Sequence, residues 1–290
     1  MSGRVLSRGE AFSLLAEELE ALPHIASPRE HALFALKAIA GLKHEDIALE
    51  PHEKLSQSET LRLDGVLERA RSGKPLAYAL GEWYFAGRTF FVDETVLIPR
   101  PDTETLCSVA LRFCNDRPGA LRILEIGVGS GACAVALGLE LMGRQAELVG
   151  NDISREALSV TSANAKRHGI ALKLLHGSML DPLAADSRFD LILCNPPYVA
   201  EEDDVDDSVW RYEPENAYRV PAGQPGTYFH RLLAESAGTF LSPGGMLALE
   251  VGYNQADEVE GLLKGNGFES VAVTQDFAGV QRVVSAIWPG

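Results

Sequence analysis

The sequence predicts an α/β protein whose core is a doubly wound, mostly parallel sheet, preceded by a small helical bundle. Three observations carry that prediction. From residue 121 onward short apolar runs alternate with helix-length amphipathic stretches, the pattern of a parallel sheet covered on both faces. Before residue 74 only helical periodicity occurs. Between the two lies a short aromatic-rich stretch that reads as a hairpin. The expected organisation is a helical docking or structural domain over 1–73, a β-hairpin linker over 74–98 and a ligand-binding α/β domain over 99–290. A chain of 290 residues, 46% hydrophobic and 23% charged, has the size and composition for this.

In the bundle, Ser7 and Glu10 form a capping-box pattern ahead of Phe12, Leu14, Leu15, Leu19 and Leu22. Ser27-Pro28-Arg29-Glu30 is a second helix start, with Ser27 as cap, Pro28 at the first helical position and Glu30 reaching back. Leu33, Phe34, Leu36, Ile39 and Leu42 follow on that helix. A short piece at Glu45–Leu49 and a helix over Ser58–Ala70, ended by Ser72-Gly73, complete it. In the linker, Glu82–Phe85 and Thr89–Val92 read as strands around Ala86-Gly87-Arg88.

Beyond it, Ile98-Pro99-Arg100-Pro101-Asp102-Thr103-Glu104 leads into a helix starting near Asp102 or Thr103. Arg100, held between two prolines, can orient a substrate group or simply sit in a surface turn. Strands are expected at Leu121–Ile126, Glu147–Asn151, Ala171–His176, Phe189–Asn195, Met246–Val251, Val271–Thr274 and Val280–Ala286. The helices between them are expected at Ala132–Leu141, Arg155–His168, Tyr228–Leu241 and Ala256–Asn266.

Composition narrows the function. No apolar run approaches the roughly 20 residues of a membrane span, and residues 1–12 lack a signal-peptide core, so a cytoplasmic location is expected. The four cysteines form no CxxC pair and read as reduced thiols, and the seven histidines are dispersed, so no metal site is expected. A net charge of −15 argues against a large phosphate-binding face, and no direct nucleic-acid binding is expected. The acidic run at 201–207 reads as a solvated loop.

Two strand ends carry the chemistry. The first strand runs into Glu125-Ile126-Gly127-Val128-Gly129-Ser130-Gly131, where glycines let a ligand approach the backbone before a helix starts. Asp152 ends the next strand, placed to accept hydrogen bonds from ribose hydroxyls. No Lys or Arg lies in the loop to meet a pyrophosphate. An adenosine ligand without phosphates, S-adenosylmethionine, is therefore expected as cofactor, with Glu125 or the loop backbone facing its ammonium group. The second strand end is Asn195-Pro196-Pro197-Tyr198. Two prolines forbid further ladder pairing and leave a stiff edge presenting one amide and backbone carbonyls. The Asn195 oxygen and Pro196 carbonyl can accept the two N–H groups of an amide or arylamine, and Tyr198 can stack on its plane.

These segments, in this order and spacing, resemble the protein-(glutamine-N5) methyltransferases of peptide chain release factors, the HemK/PrmC type. The resemblance extends to Leu249-Glu250-Val251-Gly252 and to Asp276-Phe277-Ala278-Gly279-x-Gln281-Arg282-Val283-Val284. It implies a class I methyltransferase-like domain with a seven-stranded sheet, an N-terminal domain that holds the release factor, and the glutamine of a Gly-Gly-Gln loop as substrate. Carried over, Gly127, Val128, Gly129, Ser130, Gly131, Asp152, Ile153, Met179 and Asn195 join Glu125 as cofactor-binding candidates. Asn195, Pro196 and Tyr198 become the catalytic candidates, and Arg100, Asn195, Pro196, Pro197 and Tyr198 the substrate-binding ones.

The chain departs from the family's pattern at Ser178, where an Asp is common, and at Met179, where an aromatic is usual. It departs again at Gln224-Pro225-Gly226-Thr227-Tyr228. A small-molecule amine or arylamine acceptor is the alternative those departures raise. Nucleic-acid methylation and an inactive cofactor-binding scaffold are further alternatives. The expected form is a monomer.

Overall fold

In a computed structural model the described residues are 5–22, 25 and 27–290. Residues 1–4, 23, 24 and 26 lie outside them, including the first positions of the N-terminal stretch read above. The chain divides into two compact units, Met1–Glu82 with Asp206–Tyr212, and Trp83–Val205 with Glu213–Gly290.

The first unit holds α1 (Arg8–Glu20), α2 (Pro28–Ala40), α3 (His44–Leu49), α4 (Gln57–Arg71) and α5 (Leu76–Leu80). Ser7 and Glu10 make the expected capping box, each side chain taking the other's backbone N–H. At α2, Pro28 occupies the first position, yet the Ser27 side chain makes no cap hydrogen bond. Gly41 ends that helix in the left-handed conformation that a residue without Cβ adopts at little cost. The cap of α4 is Ser56 with Glu59, one turn-start earlier than the expected Ser58. Leu15, Leu19, Leu36, Leu63 and Leu67 are fully buried, so α1, α2 and α4 share one apolar core.

The second unit opens at Trp83, within the hairpin β1 (Glu82–Phe85) and β2 (Arg88–Phe91), then come a single 3-10 turn at Pro101–Thr103 and α6 (Glu104–Asp116). The alternating region follows as β3 (Leu121–Ile126), α7 (Ala132–Glu140), β4 (Ala146–Asp152), α8 (Arg155–His168), β5 (Leu172–His176) and β6 (Phe189–Cys194). Next comes α9 (Asp207–Tyr212), a short helix of the first unit that starts at the end of the acidic 201–207 run and was not anticipated. Asp206 caps its start, accepting from the Ser208 backbone at 2.8 Å. The chain ends with α10 (Tyr228–Ser236), β7 (Leu241–Glu250), α11 (Ala256–Gly265), β8 (Glu269–Gln275) and β9 (Gln281–Ile287).

The seven strands lie in the order β5-β4-β3-β6-β7-β9-β8. The first five are parallel, and β9 runs antiparallel to both β7 and β8. Strand periodicity sorts the core. Ile123, Leu191, Leu193, Met246 and Ala248 pack on one face with Leu106 and Val109 of α6 and Val135 and Leu137 of α7. Leu124, Ile126, Ile192, Leu247 and Leu249 pack on the other with Leu233 of α10 and Val259 and Leu263 of α11. β7 starts five residues before the expected Met246, because Ser242-Pro243-Gly244-Gly245 is carried past a register irregularity against β6.

The cysteine reading is corrected in one respect. Cys107 of α6 and Cys133 of α7 pair as a disulfide, with their Cα atoms 6.0 Å apart, while Cys114 and Cys194 are buried free thiols. The pairing depends on which faces α6 and α7 turn to each other, and a spacing of 26 residues in the chain carries no sign of that.

The hairpin is tied to the second unit by Asn164 of α8. Its oxygen accepts the Phe91 N–H at 2.7 Å, and its nitrogen donates to the Phe91 carbonyl at 2.9 Å and the Ser130 carbonyl at 2.8 Å. The side chain is fully buried, so truncation strands three backbone groups away from water. Asn164→Ala is expected to lower unfolding stability by about 2–4 kcal/mol, read as a lower urea midpoint at unchanged slope.

Candidate active site

In a doubly wound sheet the crevice opens where strand order reverses, at the C-terminal edge. Here that point lies between β3 and β6, whose last residues, Ile126 and Cys194, are paired. The glycine loop 127–131 and the Asn195–Tyr198 segment therefore leave the sheet side by side.

The glycine loop is held by partners on both sides. Val128 N–H donates to the Asn151 carbonyl at 2.9 Å, and Gly129 N–H to the Asp152 carboxylate at 2.9 Å. From α8 the Thr161 hydroxyl donates to the Gly129 carbonyl at 2.7 Å. Gly131 has φ +78°, and a Cβ there would meet the Thr161 methyl at 2.7 Å, so only glycine fits. Val128 and Ser130 are buried, and what they can offer a ligand is backbone.

Asp152 also accepts the Ser154 N–H at 2.9 Å, and it is Ser154, not Asp152, that caps α8. Ile153 is exposed beside it. Buried Asn151 donates to the carbonyls of Gly177 at 3.2 Å and Met179 at 2.8 Å, which shapes the loop that holds Met179 at φ +47°. Glu125 is buried and accepts the Ala134 N–H of α7, while its Oε2 has no partner among the described residues. Burial pushes its carboxyl up to about 8, with the nearby Asp152 charge adding to the rise.

These residues fit S-adenosylmethionine. Asp152 retains lone pairs for ribose hydroxyls, Ile153 and Met179 supply apolar surface for a purine, and the unpartnered Glu125 oxygen suits an ammonium. A Cβ at Gly127 would meet open space, so the loop leaves room for a ligand against the backbone.

At the other strand end, the Asn195 side-chain nitrogen donates to the Thr103 hydroxyl at 3.2 Å. The amide oxygen is thereby left as the edge that can accept from a substrate. The backbone beyond is pinned. Tyr198 and Val199 N–H both donate to the Tyr218 carbonyl, at 3.1 and 2.9 Å. Gln255 donates to the Tyr198 carbonyl at 3.0 Å and accepts from Gly252 N–H at 2.9 Å. A Cβ at Gly226 would lie 2.5 Å from the Tyr198 carbonyl oxygen, so the divergent 224–228 segment packs directly on this loop. Burial and the Glu250 charge push the Tyr198 phenol up to about 12, opposed by Arg282 and Arg100.

Arg100 is ion-paired at 2.5 Å with Glu213, whose second oxygen accepts the Ile98 N–H at 3.1 Å. Glu213 is buried, so the Ile98–Arg100 segment is clamped to it. Arg282 bridges Asp102 at 3.1 Å and Asp276 at 3.2 Å. The structure thus gathers every candidate residue around one sheet edge. It adds Asn151, Thr161, Glu213 and Glu250, which the residue pattern alone did not single out. For Thr161 the available signal was a polar residue on the inward face of α8, and for Glu250 a carboxylate closing an apolar strand.

The Methyltransferase small domain matches residues 112–216, and the PrmC N-terminal domain matches residues 10–81. The Release factor glutamine methyltransferase of Geobacter sulfurreducens is 38% identical over 262 residues, covering 90% of this chain and 89% of that protein. Its counterpart from Pasteurella multocida is 36% identical over 247 residues, covering 81% and 82%. Among solved structures, the hMettl16 catalytic domain in complex with the MAT2A 3'UTR hairpin 6 shares the fold. It has a TM-score of 0.54 at 14% identity, over 79% of this chain and 81% of that one. Fold and site together define a methyltransferase. The chain belongs to the release factor glutamine methyltransferase family.

Glu125 and Glu250, the latter raised to about 7 by burial, bind protons more tightly folded than unfolded. Their contribution to stability is full below about pH 4.5 and is lost as pH rises through about 7 and 8. The ligand-free protein is expected to show a falling urea midpoint between pH 5.5 and 8.5. In Glu125→Gln that fall should be markedly shallower.

Proposed function

We propose that this chain transfers the methyl group of S-adenosylmethionine to the side-chain amide nitrogen, N5, of the glutamine in the Gly-Gly-Gln motif of peptide chain release factors. The observation that carries this is the Asn195 amide at the end of β6, its nitrogen turned to Thr103 and its loop adjoining the glycine cradle. Family membership supports the same acceptor. A release factor is the protein partner, docked with help from the helical unit. No nucleic-acid partner is part of this reading, a monomer suffices for it, and a cytoplasmic location accords with such a substrate. Among the described residues no helix is long and apolar enough to cross a membrane.

The cofactor supplies an electrophilic methyl group on a sulfonium. The protein's task is to make an amide nitrogen receptive. That nitrogen is a poor nucleophile because its lone pair is delocalised into the carbonyl. The Asn195 oxygen and the Pro196 carbonyl accept its two N–H hydrogens, which favours pyramidal geometry and fixes the lone pair's direction. Prolines at 196 and 197 keep those acceptors from moving. Tyr198 stays a neutral phenol and packs against the amide plane. No strong base is needed, because the proton leaves after the nitrogen has gained the methyl group and become positive.

Incubation with labelled cofactor and a release factor should place label on the Gly-Gly-Gln glutamine, located by mass spectrometry. Label on a free amine with none on the factor would sink the reading. Asn195→Ala should lower kcat by about 100-fold with cofactor Kd changed less than about threefold. Asp152→Ala should instead weaken cofactor binding about tenfold or more by calorimetry, through loss of both a ribose acceptor and the Gly129 anchor.

A further inference from the structure

One buried carboxylate next to this site has no part in the mechanism above. Glu250 closes β7 and is almost wholly buried. β6 and β7 run parallel with Cys194 beside Leu249, so one step further along each strand Asn195 lies beside Glu250. The Thr103 and Asn195 side chains lie near enough to its carboxylate to favour the ionised form. Asn195 nitrogen in turn donates to the Thr103 oxygen at 3.2 Å. The three side chains form a cluster in which the amide nitrogen sits on the Thr103 hydroxyl with the Glu250 carboxylate as its charged neighbour.

That arrangement discriminates between the two orientations of an asparagine amide. An ionised carboxylate only accepts. Turned over, Asn195 would set its oxygen against that carboxylate and present its NH2 to the NH2 of the acceptor glutamine, donor against donor. We propose that Glu250, with Thr103, is a positioning residue that holds the Asn195 amide with nitrogen inward and oxygen toward the acceptor nitrogen. The inference rests on the functional reading given above and assigns the origin of the orientation that reading requires.

The groups facing Glu250 leave it as the one that titrates in the neutral range within this network. Arg282 approaches from β9, paired with Asp102 of the 3-10 turn. Tyr198 and Cys194 are both pushed up by burial, the phenol to about 12 and the thiol well above its ordinary value. His230 of α10 meets Glu250 through its backbone carbonyl, at 2.8 Å, and burial lowers the imidazole below its ordinary value. Burial carries the Glu250 carboxyl up to about 7, and Asp102 adds to the rise while Arg282, Thr103 and Asn195 oppose it. Once protonated, Glu250 can donate to the Asn195 oxygen, and the discrimination is lost. Glu125, raised to about 8, is the other buried carboxyl near the sheet edge, and a Glu125→Gln control separates its titration.

The test is steady-state methylation of a release factor by the full chain from pH 5.5 to 9, for wild type, Glu250→Gln, Thr103→Val and the double variant. Wild type should lose kcat on the acid side with a midpoint near 7. Glu250→Gln should lose that limb and about tenfold or more in kcat at pH 8, with KM for the factor and cofactor Kd within about threefold. The double variant should be little worse than Glu250→Gln, because the two residues act on one amide. If Glu250→Gln folds poorly, the acid limb and kcat of Thr103→Val alone decide, since that change spares the carboxylate. An active wild type with an unchanged limb in Glu250→Gln, or a loss confined to KM, would overturn the inference alone. A wild type that leaves the factor unmethylated would overturn the functional reading and the inference with it.

Discussion

The parallel register of β3 against β6 is the constraint on which the site depends. Ile126 beside Cys194 brings the glycine loop and the Asn195 segment to the same height at the sheet edge. A slip of one residue would send Leu191 and Leu193 to the face now filled by Ile192, and both faces are packed. The cost of that slip is counted in buried leucines, far from any ligand. The geometry of the candidate site is thus paid for by the apolar core, and the loops inherit their placement from it.

Core packing stops where the strands stop, and polar side chains take over. Asp152, Asn151, Thr161 and Asn164 hold the glycine loop and the segment after β5, while Gln255, Thr103 and Glu213 hold the segments around Asn195 and Arg100. Most of these bonds run from a side chain to backbone. Each satisfies a backbone group that would otherwise be stranded beside an apolar core, where an unmade bond costs about 1–3 kcal/mol. Rigidity at the sheet edge is therefore a consequence of where polar residues terminate strands and line the inward face of α8, and it does not require the loops to have regular structure of their own.

Much of this was legible in the sequence. Apart from the early start of β7, the strands were placed within a residue or two because a doubly covered sheet demands near-continuous apolar runs such as Leu191–Cys194. Asn195, Asp152 and the three loop glycines announce themselves, since prolines, glycines and strand-end acids have narrow conformational uses. The Cys107–Cys133 pair, the helix at Asp207–Tyr212 and the Glu213 clamp were hidden. Each depends on two segments far apart in the chain meeting on specific faces: Glu213 reaches Arg100 across more than a hundred residues. Local pattern contains the periodicity of an element and its ends, but not the partner that the element will face. Ser27 shows the converse, a strong local start signal whose helix begins as expected without the side-chain bond that the signal implies.

Glu125 and Glu250 illustrate why partners matter most for charge. Both are carboxylates closing or nearly closing apolar strands, and each has a buried oxygen without a partner among the described residues. Burial on this scale penalises the ionised form, which is why both are held partly protonated near neutrality. A core residue with such a cost would ordinarily be replaced by an apolar one of similar volume. At a strand end beside a ligand cradle the same cost has a use. An unsatisfied acceptor is a vacancy for a donor, and for Glu125 an incoming ammonium would fill it. For Glu250 the neighbouring Thr103 and Asn195 side chains already offset part of that cost, and the carboxylate in turn orients an amide. The destabilisation is thereby concentrated where a donor, from ligand or protein, can offset it.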